Sequence, residues 1–237
     1  MKKTEFKAYV ADLGLNLDDK QLEQYARYHE LLAEWNEFMN LTGITDEEGV
    51  YEKHFYDSLL SIRDVEYHGR FADVGTGAGF PGLVLKIAYP ELEVVLIEPL
   101  NKRCNFLNAV IEELALEKIE VVNMRSEDYA KNNRESFDFV SARAVSNLNI
   151  LSELCVPLVK IGGEFIILRG NKGIEEIEDA QKALRELGAE EKFVHNYELL
   201  DGSTRIIASY QKIKKTSPKY PRNYGNIKKK PLWMKLS

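Results

Sequence analysis

Apolar residues in the first 40 positions recur at spacings of three and four, the pattern of helices that bury one face. This spacing predicts a short helix over 4–13, ended by Gly14, and a longer helix capped by Asp18 or Asp19. The longer helix carries a stripe of large apolar side chains that we expect in the core: Leu22, Tyr25, Tyr28, Leu31, Leu32, Trp35, Phe38 and Met39.

A third helix is predicted over 47–62, because the letters T-D-E-E at its start form a capping box. His54 and Asp57 lie three residues apart on one face of this helix. A single helical histidine is usually a hydrogen-bonded structural residue, and the alternative is that this pair faces a ligand. With Asn40, they are the candidate residues on the substrate side.

From residue 70 onward, short apolar runs alternate with helical patterns. The runs predict seven strands, over 71–74, 94–97, 119–122, 137–142, 163–168, 191–199 and 205–211. After the helix that opens at the first glycine-rich turn, further helices are predicted over 101–116, 149–159 and 174–187. This alternation predicts an α/β protein with a Rossmann-like, doubly wound, mostly parallel seven-stranded sheet behind an N-terminal helical extension.

Three alternating glycines, Gly75, Gly77 and Gly79, follow the first strand, and Pro81 offers a fixed φ for the first turn of a helix. Glycines there allow a tight turn and bring the backbone against a ligand. The next strand ends at Glu98, whose carboxylate can accept both hydroxyls of a ribose. The unit is predicted to bind a nucleotide-like ligand, the alternative being a turn whose glycines serve packing alone.

The loop fits two nucleotide motifs. Gly77, Gly79 and Gly82 spell the G-x-G-x-x-G of dinucleotide sites, whereas the same stretch read from Asp73 spells the D-x-G-x-G-x-G of S-adenosylmethionine (SAM) methyltransferases. The Asp73 carboxylate repels a pyrophosphate but suits a ligand with an ammonium and a sulfonium. Pro81 also has no N–H for a phosphate. SAM is therefore the favoured cofactor, and an NAD-dependent oxidoreductase is the alternative.

Polar residues follow several predicted strands at their carboxyl ends, where doubly wound sheets bind ligands. They are Asp73, Glu98, Ser126 with Glu127, and Arg143. Arg143 is the first candidate to touch cofactor or substrate. The alternative for Arg143 is an ion pair with Glu98 or Asp73.

The net charge of −6 over 237 residues hides a strong asymmetry. Residues 211–237 hold nine basic residues and no acids, so subtracting nine from −6 leaves −15 for residues 1–210. A basic tail on an acidic body is typical of polyanion binding, and a solubilising tail is the alternative. Its aromatic residues can stack on bases, and its prolines are expected to keep it out of a helix. The residues predicted to bind nucleic acid are Lys219, Arg222, Lys228, Lys229 and Lys230.

No apolar run approaches the roughly 18 residues of a membrane span, and no signal-peptide core follows the first residues. Cys104 and Cys155 have no metal-ligand spacing around them. Reduced thiols in a cytoplasmic protein without a metal or a membrane partner are therefore expected.

Five separated stretches resemble the bacterial GidB family, also called RsmG, of 16S rRNA guanine-N7 methyltransferases. They are W-N-E-F-M-N-L-T-G-I-T at 35–45, K-H-F-Y-D-S-L-L at 53–60, D-V-G-T-G-A-G-F-P-G at 73–82, S-A-R-A-V at 141–145 and P-K-Y-P-R-N-Y-G at 218–225. They are in order over nearly the whole chain, and several are not needed by a generic methyltransferase. The tail departs from the family's G-x-P-x-K-x-P-L, since it reads G-N-I-K-K-K-P-L over 225–232.

The resemblance implies a SAM-dependent enzyme that methylates N7 of guanine 527, in the 530 loop of 16S rRNA. Its substrate would be the rRNA, the small ribosomal subunit or an assembly intermediate. The implied domains are a helical extension (1–66), a SAM-binding methyltransferase domain (67–211) and the basic tail (212–237). We expect a monomer, and a non-catalytic RNA- or ribosome-associated protein that kept the SAM pocket is the alternative.

The resemblance also implies particular cofactor contacts. They fall on Gly75, Phe80, Ser126, Glu127 and Arg143, with Glu98 where methyltransferases generally hold the ribose. Guanine N7 presents an in-plane lone pair and needs no deprotonation before it attacks a methyl group. No general base is therefore expected.

Overall fold

A seven-stranded sheet forms the centre of the computed structural model, which describes residues 1–143 and 146–233. Ala144 and Val145 of the 141–145 motif, and Lys235 of the tail, lie outside the described residues. The strands are β1 (Arg70–Val74), β2 (Glu93–Ile97), β3 (Ile119–Val122), β4 (Phe137–Arg143), β5 (Val159–Arg169), β6 (Ala189–Glu198) and β7 (Thr204–Lys212). Their order is β3-β2-β1-β4-β5-β7-β6, with β7 antiparallel to both neighbours and the other pairs parallel. The predicted Rossmann-like α/β fold is confirmed.

The central strands are apolar because both faces of the sheet are covered. Residues 71–74 of β1 and 94–97 of β2 are all buried. β1 pairs with β2 on one side and with β4 on the other. The winding of the chain reverses at this point, so the carboxyl ends of three strands surround one crevice.

Helices cover the sheet and form the N-terminal extension. The α-helices are α1 (Lys3–Asp12), α2 (Asp19–Met39), α3 (Glu47–Val50), α4 (Asp57–Leu59), α5 (Gly82–Ala88), α6 (Asn101–Glu113), α7 (Ser126–Tyr129), α8 (Leu148–Cys155), α9 (Gly173–Leu187) and α10 (Tyr224–Lys229). Asp18 caps α2, as predicted, by accepting the Gln21 N–H at 2.8 Å. Gly188 ends α9 with a φ of 96°.

An aromatic cluster packs the extension on the sheet. The Tyr28 ring stacks on both Phe55 and Phe80, with centroids 5.2 and 5.6 Å away. Its hydroxyl donates to the Ala78 carbonyl oxygen at 2.5 Å. The expected core stripe is confirmed at Tyr25, Tyr28, Leu31 and Leu32. Phe38 departs from it, because its side chain is 69% exposed.

The third predicted helix is not a continuous α-helix. Its N-cap is Asp46, which accepts a backbone N–H three residues later at 2.8 Å, and not Thr45 as the capping box suggests. A π-helical segment (Tyr51–Tyr56) separates α3 from α4 and carries His54. π-helical turns are rare in proteins, and those that occur are often located at functional sites.

The basic tail is packed on the domain. Tyr220 and Ile227 are buried in the apolar cluster formed by β4, β5, α8 and α9. The Arg134 guanidinium donates to main-chain carbonyl oxygens of the tail. The expectation that prolines keep the tail out of a helix is wrong at α10, because Pro221 precedes that helix and Pro231 follows it.

Candidate functional site

A glycine loop connects β1 to α5 at the crevice. Gly75, Gly77 and Gly79 have φ values of 67°, 62° and 100°, in the left-handed region that favours glycine. Asp73, near the end of β1, ties the loop together. Its Oδ2 accepts from the Thr76 hydroxyl at 2.6 Å and from the first N–H of α5 at 2.8 Å. A buried carboxylate beneath the loop therefore sets its shape.

The glycines of this stretch have two different surroundings. A Cβ on Gly79 would lie 2.6 Å from the Tyr28 hydroxyl oxygen, and one on Gly82 would lie 2.4 Å from Leu96 Cδ2. A Cβ on Gly77 would meet nothing closer than 4.0 Å. Packing therefore accounts for Gly79 and Gly82, whereas Gly77 borders open space.

That space is a cavity of about 560 Å³, here called the loop cavity, at the carboxyl ends of the central strands. Its walls include His54, Gly75, Gly77, Phe80, Glu98 and Arg143. Glu98 is 1% exposed, and its two oxygens accept the N–H groups of Gly77 at 3.1 Å and Leu100 at 3.0 Å. A carboxylate offers about four acceptor sites, so these bonds leave capacity for hydroxyl donors of a ligand.

The cofactor residues predicted from the sequence divide into three groups. Gly75, Gly77, Phe80, Glu98 and Arg143 line the loop cavity. Asp73 and Gly79 shape the loop from behind. Ser126 and Glu127 begin α7 as buried residues outside the cavity wall, and the Ser126 hydroxyl donates to the Leu154 carbonyl oxygen at 2.7 Å. Cofactor binding by these residues stays a prediction.

The Asp73 carboxyl has an unusual environment. It is completely buried, and this burial raises its pKa to about 6, although the hydrogen bonds from Thr76 and the loop act in the opposite direction. Within the described parts of the chain, Asp73 Oδ1 has no hydrogen-bond partner. Because an unpaired buried acceptor costs free energy, we expect this oxygen to attract a positively polarised group.

Arg143 ends β4 and separates the loop cavity from a second one. Its Nη1 lies 3.5 Å from Asp57 Oδ2, and its Nη2 lies 3.3 Å from His54 Nδ1. Its guanidinium carbon stands 4.7 Å from the centroid of the Phe80 ring. The alternative of an ion pair between Arg143 and Asp73 or Glu98 is not observed. The carboxylate that Arg143 contacts is that of Asp57, in α4.

His54 completes this wall. Its Nε2 lies 2.8 Å from Thr42 Oγ1, and its ring packs on Phe80. Burial, and then the charge of Arg143, lower the pKa of His54 to about 4, so the ring is neutral at neutral pH. His54 and Asp57 both line a cavity, and His54 is also hydrogen-bonded within the protein, so a ligand-facing role for the pair stays a prediction.

The second cavity, of about 380 Å³, is here called the basic cavity. Its lining includes Lys53, His54, Asp57, Arg143, Arg169 and Arg205. The sequence patterns did not single out Lys53, Arg169 or Arg205. Arg169 ends β5, so the rule that identified Arg143 also applies to it. Lys53 is the first residue of the stretch 53–60 that resembles the family, whereas Arg205 lies in none of the five stretches.

The residues predicted to bind nucleic acid lie outside both cavity walls. Three of them are exposed at or just after the end of α10: Lys228, Lys229 and Lys230. Lys219 pairs with Glu186 at 3.1 Å. Arg222 holds the fully buried carboxylate of Glu153 through Nη2 at 2.6 Å and Nε at 2.8 Å. Asn40, exposed after α2, also lies outside both walls.

Over residues 1–143 and 146–233, no group of three or more His, Cys, Asp or Glu side chains is arranged to hold a metal ion. No helix in this part of the chain has the length and apolar character needed to cross a membrane. Cys104 and Cys155 are buried free thiols.

Sequence comparison gives matches along nearly the whole chain. The family model described as rRNA small subunit methyltransferase G (GidB) matches residues 21–203. Ribosomal RNA small subunit methyltransferase G of Staphylococcus epidermidis is 47% identical over 227 residues, which cover 94% of this chain and 95% of the relative. The protein of the same name from Lysinibacillus sphaericus is 45% identical, with 98% and 100% covered.

Solved structures with the same fold are more distant in sequence. TYW2 of M. jannaschii, in complex with AdoMet, has a TM-score of 0.56 at 14% identity, covering 74% of this chain and 81% of that one. A variant of the 16S rRNA (adenine(1408)-N(1))-methyltransferase from Catenulisporales acidiphilia has a TM-score of 0.51 at 18% identity, with 65% and 87% covered. At these identities the structural matches establish the fold alone.

Proposed function

Because the chain belongs to the rRNA small subunit methyltransferase G family, we propose that it transfers the methyl group of SAM to N7 of guanine 527 in the 530 loop of 16S rRNA. Family membership confirms the resemblance predicted from the sequence, together with the methyltransferase class and the cofactor. Within the molecule, one observation carries the proposal. The loop cavity brings the glycine loop, Glu98 and Arg143 together at the switch point of the sheet.

The residues of the loop cavity fit the cofactor. Glu98 retains acceptor capacity for ribose hydroxyls, and Gly77 offers backbone without a Cβ. The unpaired Oδ1 of Asp73 contributes negative potential behind the loop, which suits a ligand with an ammonium and a sulfonium. A volume of about 560 Å³ also lies in the usual range for small-molecule sites.

The proposed reaction needs little acid or base catalysis from the protein. When bound, SAM supplies an electrophilic methyl group on its sulfonium sulfur. Guanine N7 offers a lone pair and loses no proton, so the chain's tasks are to align the two reactants and to exclude water. The rings of neutral His54 and Phe80 stack on each other in the wall of the loop cavity, and Arg143, which contacts Asp57, packs on Phe80 and completes this wall.

The proposed partner is 16S rRNA, in the small subunit or in an assembly intermediate, and we place the reaction in the cytoplasm with that substrate. We infer that a monomer suffices, because a single chain forms both cavities. The exposed lysines 228–230 are proposed to add contacts with the RNA backbone.

The test is methyl transfer from labelled SAM to naked 16S rRNA, to assembly intermediates and to mature small subunits, followed by mass identification of the product nucleoside. We expect N7-methylguanosine at one position. Methylation of another atom would contradict the proposal. SAM binding without transfer to any of these substrates would favour the non-catalytic alternative, and NAD binding in place of SAM would favour the oxidoreductase.

A further inference from the structure

We propose that the basic cavity binds the phosphate group of the target nucleotide, with Lys53 and Arg205 as the residues that hold it. This inference rests on the proposed function, because it assumes that the substrate is RNA. It adds a site for the RNA backbone beside the loop cavity, and it concerns residues other than the lysines of the tail.

The first argument is charge. Lys53, Arg143, Arg169 and Arg205 line the basic cavity, and among the described residues of its lining the only carboxylate is that of Asp57. Asp201 and Glu176 pair with two of the cations from beside the lining, so four cations meet three carboxylates. This concentration of cations occurs in a body whose residues 1–210 carry an excess of acids. Cations gathered in a concave site raise the local concentration of a polyanion.

The second argument is that the arginines are held in place before any ligand arrives. Arg205 Nε donates to Asp57 Oδ1 at 2.8 Å, and its Nη1 donates to the Ser203 hydroxyl at 3.2 Å. Among the hydrogen bonds of the described residues, Arg205 Nη2 makes none, so it is available to a phosphate oxygen. Arg169 is fixed by Glu176 at 3.1 Å. A fixed guanidinium loses little side-chain entropy on binding.

Lys53 provides the mobile part of the site. Its ammonium lies 2.9 Å from Asp201 Oδ2, and the two side chains are 39% and 33% exposed. An exposed ion pair contributes little stability. Lys53 can therefore leave Asp201 and bind a phosphate oxygen with only a small loss of free energy from the broken ion pair.

The third argument is position. His54 and Arg143 belong to the walls of both cavities. A guanine at this wall lies beside the cofactor, and its own phosphate is separated from the base only by one ribose, which brings it within reach of the basic cavity. A further depression lined by Arg169, Lys172 and Arg205 continues from there, so the surface suits a nucleotide strand more than a single small anion.

The experiment compares Lys53→Gln with Lys131→Gln. Both substitutions remove one lysine that pairs with one aspartate, since Lys131 meets Asp128 at 2.6 Å on the exposed surface. Affinity for the RNA form that accepts the methyl group is measured from low to high salt, alongside SAM affinity. We expect Lys53→Gln to weaken RNA binding roughly fivefold and to reduce the slope of log K against log salt by about 0.7–0.9, as for one lost phosphate contact. SAM affinity should stay unchanged.

Arg205→Lys is the second variant, since it keeps the charge but loses the planar fork. It is expected to raise the KM for RNA while the salt slope stays at the wild-type value. Equal effects of Lys53→Gln and Lys131→Gln would overturn the proposal, because net charge alone would then explain them. A parallel loss of SAM affinity would also overturn it. A wild-type protein that binds RNA but transfers no methyl group would instead contradict the proposed function. The salt dependence of RNA binding by Lys53→Gln and Lys131→Gln would still show whether the basic cavity binds a phosphate.

Discussion

The imidazole ring of His54 stacks on the phenyl ring of Phe80, with 4.5 Å between centroids and 22° between ring planes. His54 comes from the π-helical segment of the N-terminal extension, and Phe80 comes from the glycine loop. The wall between the two cavities is therefore built jointly by the extension and the nucleotide-binding part of the chain.

The first prediction concerns pH and His54. Its pKa is about 4 in the folded protein, against an ordinary value of 6.5. Between these two pH values His54 is therefore protonated in the unfolded chain but neutral in the folded protein. The stability that neutral His54 contributes is present above about pH 6.5 and is lost as the pH falls toward 4. Denaturant titrations should show that the free energy of unfolding of the wild type falls relative to that of His54→Gln over this pH range. The slope of this difference against pH should approach the uptake of one proton on unfolding.

Asp73 titrates in the same window with the opposite sign, because burial raises its pKa to about 6 and its contribution is greatest at low pH. The informative quantity is thus the difference between the wild type and His54→Gln. A difference that does not change with pH would show that His54 is not held neutral by its surroundings.

The second prediction concerns Glu98. Glu98→Gln keeps the shape of the side chain but removes the charge and one acceptor oxygen, so both loop contacts and ribose contacts weaken. We expect SAM affinity, measured by calorimetry, to fall roughly tenfold or more. Glu91→Gln is the control, because Glu91 is an exposed acid paired with Lys118 outside the loop cavity. Equal SAM affinity in the wild type and in Glu98→Gln would show that the Glu98 carboxylate does not contribute to cofactor binding.

The third prediction separates two glycines of the loop. Gly79→Ala brings a Cβ against Tyr28 and requires a residue with a Cβ at a φ of 100°, so thermal unfolding should occur at a clearly lower temperature. Gly77→Ala meets no atom closer than 4.0 Å and carries only the backbone strain, about 1 kcal/mol. Its main effect should be weaker SAM binding. Stability losses of equal size in the two variants would contradict this division.

The fourth prediction concerns the tail. Arg222→Gln leaves the fully buried Glu153 without its cation, and we expect a loss of about 3 kcal/mol in the free energy of unfolding. Replacing the exposed lysines 228–230 by glutamine should leave stability unchanged, weaken RNA binding and flatten its salt dependence. Chemical denaturation and RNA titration measure the two effects separately. Similar stability in all variants would show that the Arg222 contact is dispensable.

Truncation after Gln211 distinguishes a packed tail from a free one. A separable tail, as expected from the composition, would lose RNA binding and keep SAM affinity. The buried positions of Tyr220 and Ile227 lead us to expect a loss of stability and of SAM affinity as well.

Much of the fold followed from local pattern. Each of the seven predicted runs overlaps a strand. For β1 and β2 the reason is that strands buried on both faces need continuous apolar residues, whereas β6 is an antiparallel edge strand with mostly exposed residues. Gly188 and Asp18 mark helix ends through their own backbone and side-chain chemistry. The predicted start of β5 at residue 163 is wrong, because the strand already begins at Val159 and continues through Gly162, whose φ is 87°.

The candidate site was predictable only where the topology placed it. Arg143 and Glu98 stand at strand ends, and parallel strands bring such ends together. Lys53 and Arg205 reach the basic cavity from the π-helical segment and from an antiparallel strand, and neither position obeys a rule of sequence spacing. The role of Arg222 depends on a buried acid 69 residues away, which local patterns do not reveal.

Because His54 and Arg143 belong to the walls of both cavities, we expect binding in the two cavities to be coupled. If a ligand in the basic cavity changes the contacts of Arg143 and thereby the affinity of the loop cavity, the reciprocal effect must have the same magnitude. Cofactor affinity measured with and without RNA would therefore report the same coupling factor as RNA affinity measured with and without cofactor. We therefore expect a single arginine at the end of one strand to let each substrate influence how tightly the other is held.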